Sequence, residues 1–184
     1  KKDSADDADG MVSRVESSNI HTSTNQSYMD YRMTRSEQRQ MAEKVKSMFY
    51  YGYDSYLEHA FPFGELKSVS CSGGHFDPIK LPALSLIDTL DTLVILGNYS
   101  EFRRAVGLIV QSYPKKFDFD VNISVFETTI RILGGLLSAY LMSVDRKLGI
   151  YVDHDESNGN LLELAVDLAD RLMPAFQTKT GIPI

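Results

Sequence analysis

SVFETTIRILGGLLSAYLMS, residues Ser124 to Ser143, is the stretch that decides the fold. Advanced at about 100° per residue, Glu127, Arg131, Gly134 and Ser138 fall on one narrow strip of a helix, with Gly135 beside it. Leu141 closes the strip at its far end. The remaining circumference is Ile130, Ile132, Leu133, Leu136, Leu137, Ala139, Tyr140 and Met142. A helix apolar over most of its surface is buried. A charged strip on such a helix must face a partner charge, water or a ligand. The other reading is local. Ser124 and Glu127 have capping-box spacing, so Glu127 could simply close the helix start. Glu127 and Arg131 also form an i,i+4 pair worth roughly 0.2–0.5 kcal/mol. Gly134 and Gly135 each cost about 1 kcal/mol relative to Ala inside a helix. Two in a row point to close packing or ligand approach on that side.

Working outward, a helix over about 83–96 repeats the theme. Ser85, Asp88, Thr89, Asp91 and Thr92 make a polar arc, and Leu86, Ile87, Leu90, Leu93 and Val94 make the opposite face. Either the arc is solvated, or Asp88 or Asp91 lines the same cavity as Glu127; periodicity does not choose. Thr34 and Glu37 have capping-box spacing. Met41, Val45, Met48, Phe49, Tyr53 and Tyr56 then mark an amphipathic helix to about His59. A loop to about Pro82 follows. A third helix runs from Ser100 to Tyr113-Pro114, and a fifth covers about 160–173, entered from an Asn cap. No long segment alternates with period two, so the chain reads as all-α, and its shorter connections suit antiparallel helix hairpins. Five helices complete no obvious closed bundle. Residues 1–33 are polar without apolar period and read as disordered. Both ends read as cuts, and the chain as a fragment.

The chain has 184 residues, a net charge of −6, one Cys and no Trp. Mild acidity argues against a nucleic-acid surface, because no basic field attracts phosphates. One Cys excludes an internal disulfide framework and a Cys-cluster zinc site. No apolar run reaches about 18 residues, so no transmembrane segment is expected, and no signal-peptide pattern is present. Asn25, Asn98 and Asn122 open glycosylation sequons, which tilt toward a secretory compartment. Cys71 is either a free buried thiol or, in a secretory protein, half of a disulfide with a partner outside this chain. His21, His59, His75 and His154 have no metal spacing, and no metal site is expected in this chain. No phosphate-binding loop, dinucleotide-binding turn or nucleophile elbow is present.

Four segments carry a resemblance: MFYYGYDSYLEHAFPFGEL (Met48 to Leu66), SLIDTLDTLVILGN (Ser85 to Asn98), DVNISVFETTIRILGGLLSAYL (Asp120 to Leu141) and LMPAFQTKTGIP (Leu172 to Pro183). Together, and in this order, they resemble glycoside hydrolase family 47, the class I α-mannosidases, and most of all its ER degradation-enhancing α-mannosidase-like branch. The resemblance covers about residues 36–184.

It implies a partial (αα)7 barrel, supplied over 34–184 and truncated at its C-terminal end. It implies an inverting α-1,2-mannosidase that uses Ca2+ in the endoplasmic reticulum lumen. Such an enzyme trims N-linked high-mannose glycans on misfolded glycoproteins and marks them for ER-associated degradation. Glu127 matches the family's acid in the VFE motif and Arg131 its substrate-contacting Arg. Asp88 and Asp91 match the acidic pair of the IDxLD motif, taken as substrate-binding. The Ca2+ ligands and the other catalytic carboxylates match nothing in this chain, so the chain alone is expected to be inactive. An inverting glycosidase places an acid and a water-activating base roughly 6.5–9.5 Å apart. Glu127 would be the acid, with a proton affinity raised by burial or nearby carboxylates; a tight pair with Arg131 would oppose that. A mannose-glycan-binding, lectin-like protein of the same fold is the alternative. An incomplete barrel would leave apolar faces bare, so the isolated chain is expected to fold poorly.

Overall fold

The computed structural model describes residues 32–150 and 156–183, with side chains of 156–159 not described. The expected disorder of 1–33 therefore falls outside them up to residue 31, as do Asn25, His21 and His154. The first helix, α1, spans Arg35–His59. Its capping box forms in full: Thr34 N–H donates to Glu37 at 2.7 Å, and Glu37 N–H donates to the Thr34 hydroxyl at 3.2 Å. Only the C-terminal part of its apolar stripe is covered. Tyr53 and Tyr56 are buried, whereas Met41, Val45 and Met48 are exposed.

The expected loop after α1 holds a β-hairpin, β1 (Glu65–Lys67) against β2 (Ser72–Gly74), antiparallel with Glu65 opposite Gly74. Cys71 sits exposed in its turn with φ 51°. The expected second helix is two: α2 (Leu84–Asp88) and α3 (Leu90–Ile95). The break lies at Thr89, whose hydroxyl donates to the Leu86 carbonyl at 2.9 Å. A side chain that offers the backbone a local alternative interrupts the helix ladder. Leu86, Ile87, Leu90 and Leu93 are fully buried, which at about 1.5–3 kcal/mol each makes this pair the centre of the core.

Next, α4 spans Tyr99–Ser112, and its N-cap is Asn98, whose side-chain Oδ1 accepts from Glu101 N–H at 3.2 Å. An extended segment, β3 (Pro114–Phe117), leads to the decisive helix. That helix is continuous but not uniform: α5 (Val125–Glu127), a π-helical stretch (Thr128–Leu133) and α6 (Gly134–Val144). The run Val125–Val144 is long and apolar enough by length and composition to cross a membrane. Glu127 and Arg131 interrupt it, so no uninterrupted apolar run of that length is present, as expected. It packs against α2, α3 and α7 along one side, with only 22% of it buried, so the burial expected all round is not met.

The last helix, α7, spans Glu156–Leu172 and runs into a 3-10 turn, Met173–Phe176. It starts earlier than expected, so Asn160 lies within it and not at its cap. Helix α7 packs on α6, α4 and β3. Phe117 N–H donates to Asp167 at 3.0 Å, which pins β3 to α7. The fold is thus a series of packed helix pairs with a small hairpin on one side.

Candidate functional site

The site forms where α2 meets the π-helical stretch. Ser124 caps the start of α5, accepting from Glu127 N–H at 3.3 Å. The capping box is only half made, because the Glu127 side chain turns to Arg131 instead. Arg131 Nε donates to Glu127 Oε2 at 2.7 Å, and its Nη1 lies 3.4 Å from Asp88 Oδ2. Arg131 thus joins two carboxylates from different helices. The Phe76 ring lies against the guanidinium, 5.5 Å from centroid to Cζ, a cation–π arrangement worth about 0.5–1 kcal/mol at an exposed site.

The π-helix shifts the register of this face. Its i→i+5 bonding takes in more residues per turn than an α-helix, so a uniform 100° wheel fails beyond Arg131. Gly135, not Gly134, meets α2. A Cβ on Gly135 would stand 2.9 Å from Ile87 Cγ2, whereas one on Gly134 would meet only the Thr129 carbonyl at 3.4 Å. Of the two readings of this glycine pair, close packing holds at Gly135. Thr128, fully buried in the π-helix, is the one described residue with a buried side-chain polar atom lacking a hydrogen-bond partner.

The three charged side chains are covered but reachable: 25% of Glu127, 35% of Asp88 and 40% of Arg131 is exposed. Burial lifts the Asp88 carboxyl above its ordinary value. Arg131 opposes that shift, and the charges of Asp91 and Glu127 add to it. The Asp91 side chain, across the break at Thr89, makes no hydrogen bond or ion pair with another described residue but contributes to this field. The structure therefore brings Glu127, Arg131 and Asp88 into contact and leaves Asp91 beside them. Sequence reasoning missed Phe76, which sits in a loop without period, and Glu65, which lines a small cavity with Asp88 and Arg131.

Among the described residues no three His, Cys, Asp or Glu side chains converge as a metal-binding group. Asp88 and Glu127 already hold a guanidinium, which repels a cation. The sequon residues differ in state. Asn122 is exposed in the coil before α5. Asn98 is committed, its Nδ2 donating to the Tyr50 hydroxyl at 2.9 Å. Cys71 is the one cysteine of the chain, so it has no disulfide partner within it.

Comparison with known proteins gives a consistent picture. Residues 48–184 match the model of Glycosyl hydrolase family 47. The chain is 54% identical over 142 residues to human "ER degradation-enhancing alpha-mannosidase-like protein 2", covering 77% of the chain and 24% of that protein. It is 39% identical over 166 residues to "ER degradation-enhancing alpha-mannosidase-like protein 1" of Saccharomyces cerevisiae, covering 84% of the chain and 21% of that protein. Among solved structures, the alpha-1,2-mannosidase from Trichoderma reesei superposes with a TM-score of 0.68 at 31% identity, over 79% of this chain and 30% of that one. The chain spans about a quarter of the length of these curated relatives. Its helix pairs are part of an (αα)7 barrel, the fold of that neighbour.

Proposed function

The chain belongs to glycosyl hydrolase family 47, in its ER degradation-enhancing α-mannosidase-like branch, and from that premise we propose that it contributes the acid side of an α-1,2-mannoside-cleaving site. One observation carries the reading: a single arginine holds two carboxylates from neighbouring helices, Glu127 and Asp88, at a solvent-reachable junction. In this reading Glu127 protonates the leaving oxygen. Arg131 and Asp88 grip hydroxyls of the sugar, and Asp91 tunes the field. The water-activating base and the Ca2+ ligands belong to other parts of the family domain. When bound, Ca2+ would supply a Lewis-acid contact to the substrate sugar. The substrates are N-linked high-mannose glycans on misfolded glycoproteins in the endoplasmic reticulum lumen, trimmed on the way to degradation. Asn122 is the glycosylation acceptor best placed in the folded chain, with Asn25 and Asn98 the other candidates.

Glycan binding without cleavage is the second reading. It is favoured by one feature: Arg131 holds both carboxylates as fixed hydrogen-bond acceptors, an arrangement that suits hydroxyl recognition. The test is mannose release from a high-mannose N-glycan by the full-length protein and its Glu127→Gln variant, read by mass spectrometry. Loss of an acid catalyst costs about 10²–10⁴ in rate, and that fall supports cleavage. Binding without any release by the unaltered protein supports the second reading.

A further inference from the structure

A cavity of about 200 Å3 beside Arg131 and Asp88 is also lined by Glu65, Phe76, Leu84 and Ser85. Glu65 is placed there from the backbone outward. The Gly64 carbonyl accepts from Ser85 N–H at 3.0 Å and from the Ser85 hydroxyl at 2.9 Å. These two bonds clamp the entry to β1 against the first turn of α2. A Cβ on Gly64 would crowd the Leu81 carbonyl at 3.0 Å, so glycine eases the chain's close approach there. Asp88 lies three residues beyond Ser85, on the same face of α2. Glu65 thus shares one cavity with the Arg131–Asp88 pair, yet comes from a different element, 62 positions before Glu127 (127 minus 65).

The Glu65 side chain makes no hydrogen bond or ion pair with any other described residue. Glu65 is half-buried and borders both this cavity and a neighbouring one lined by Tyr53, Tyr56 and Thr89, and a carboxylate whose side chain meets no other described residue has unused acceptor capacity. A neutral polyol meets that need. Its hydroxyls donate to the carboxylates and accept from the guanidinium, and its C–H face rests on Phe76. A cation would meet Arg131, and an anion would meet two carboxylates.

We infer that Glu65 is a sugar-contacting residue, accepting hydrogen bonds from hydroxyls of the mannose unit whose other hydroxyls meet Arg131 and Asp88. This rests on the glycan reading given above and adds a residue to it. The test is calorimetric titration of the full-length protein with methyl α-1,2-mannobioside. The proteins compared are the unaltered one, Glu65→Gln and, as a surface control, Glu58→Gln. Glu65→Gln is expected to weaken binding about tenfold, the scale of a lost charge-assisted hydrogen bond. Its melting midpoint and the behaviour of Glu58→Gln stay unchanged. Should Glu65→Gln also melt lower, Glu65→Asp keeps the charge on a shorter stem, and weakened binding with an unaltered melt supports the inference. Unaltered binding by folded Glu65→Gln or Glu65→Asp overturns it while the glycan reading stands. Failure of the unaltered protein to bind the disaccharide overturns both.

Discussion

Arg131 reaches across to Asp88, its Nη1 3.4 Å from Oδ2, although 43 positions separate them. The same guanidinium holds Glu127 at 2.7 Å. One cation thus links a carboxylate on its own helix to one on the neighbouring helix. That link brings two polar strips, far apart in sequence, together at the candidate site.

The link has a measurable electrostatic consequence. Burial raises the Asp88 proton affinity and Arg131 lowers it, so Arg131→Met should move the Asp88 titration further up. The ¹³Cγ shift of Asp88 followed against pH measures this. The sign for stability follows by linkage. The folded state binds the Asp88 proton more tightly than the unfolded chain, so this group's contribution falls as pH rises from the ordinary carboxylate value through the folded one. An Asp88 titration that drops when Arg131 is removed would refute the pairing.

The two adjacent glycines should respond oppositely to alanine. Gly134→Ala has room, and removing a helix glycine should gain about 0.5–1 kcal/mol. Gly135→Ala drives a methyl into Ile87, and overpacking costs about 1–3 kcal/mol before the propensity gain is subtracted. Urea unfolding of the two variants in the full-length protein decides it. Equal effects would mean that the π-helix does not set the register described.

Thr128 offers a stabilising substitution. Its hydroxyl is buried without a partner, and an unmet hydrogen bond of this kind costs about 1–3 kcal/mol. Thr128→Val should therefore raise stability by about 1 kcal/mol. A lower midpoint in thermal unfolding would show that the hydroxyl has a partner.

The isolated chain should unfold without a sharp transition. Phe126 and Leu141 are 68% and 64% exposed on the helix over 125–144, and Ile130 and Leu137 extend the bare stripe between them. Such a patch favours self-association. Light scattering and a thermal scan of residues 1–184 check this; a monomer with a sharp cooperative melt would contradict it.

Much of the site was legible before any coordinates. Capping spacing placed Thr34 and Glu37 correctly, and the i,i+4 spacing of Glu127 and Arg131 anticipated their pair, because both depend on backbone neighbours alone. The helix over 83–96 was read as one piece, since period analysis does not see the Thr89 hydroxyl competing for the Leu86 carbonyl. The hairpin was missed because three-residue strands carry too little alternation to register.

What the sequence determined by itself is the helical character, the four motifs in their order and hence the family, and the charged strip on an otherwise apolar helix. These are properties of short windows. Only the tertiary structure decided that Asp88 and not Asp91 meets Arg131, that Gly135 is the packing glycine, and that Glu65 and Phe76 border the same cavity. Each depends on how two elements far apart in sequence are rotated against one another. The π-helical turn and the break at Thr89 set that rotation, and a uniform helical wheel contains neither.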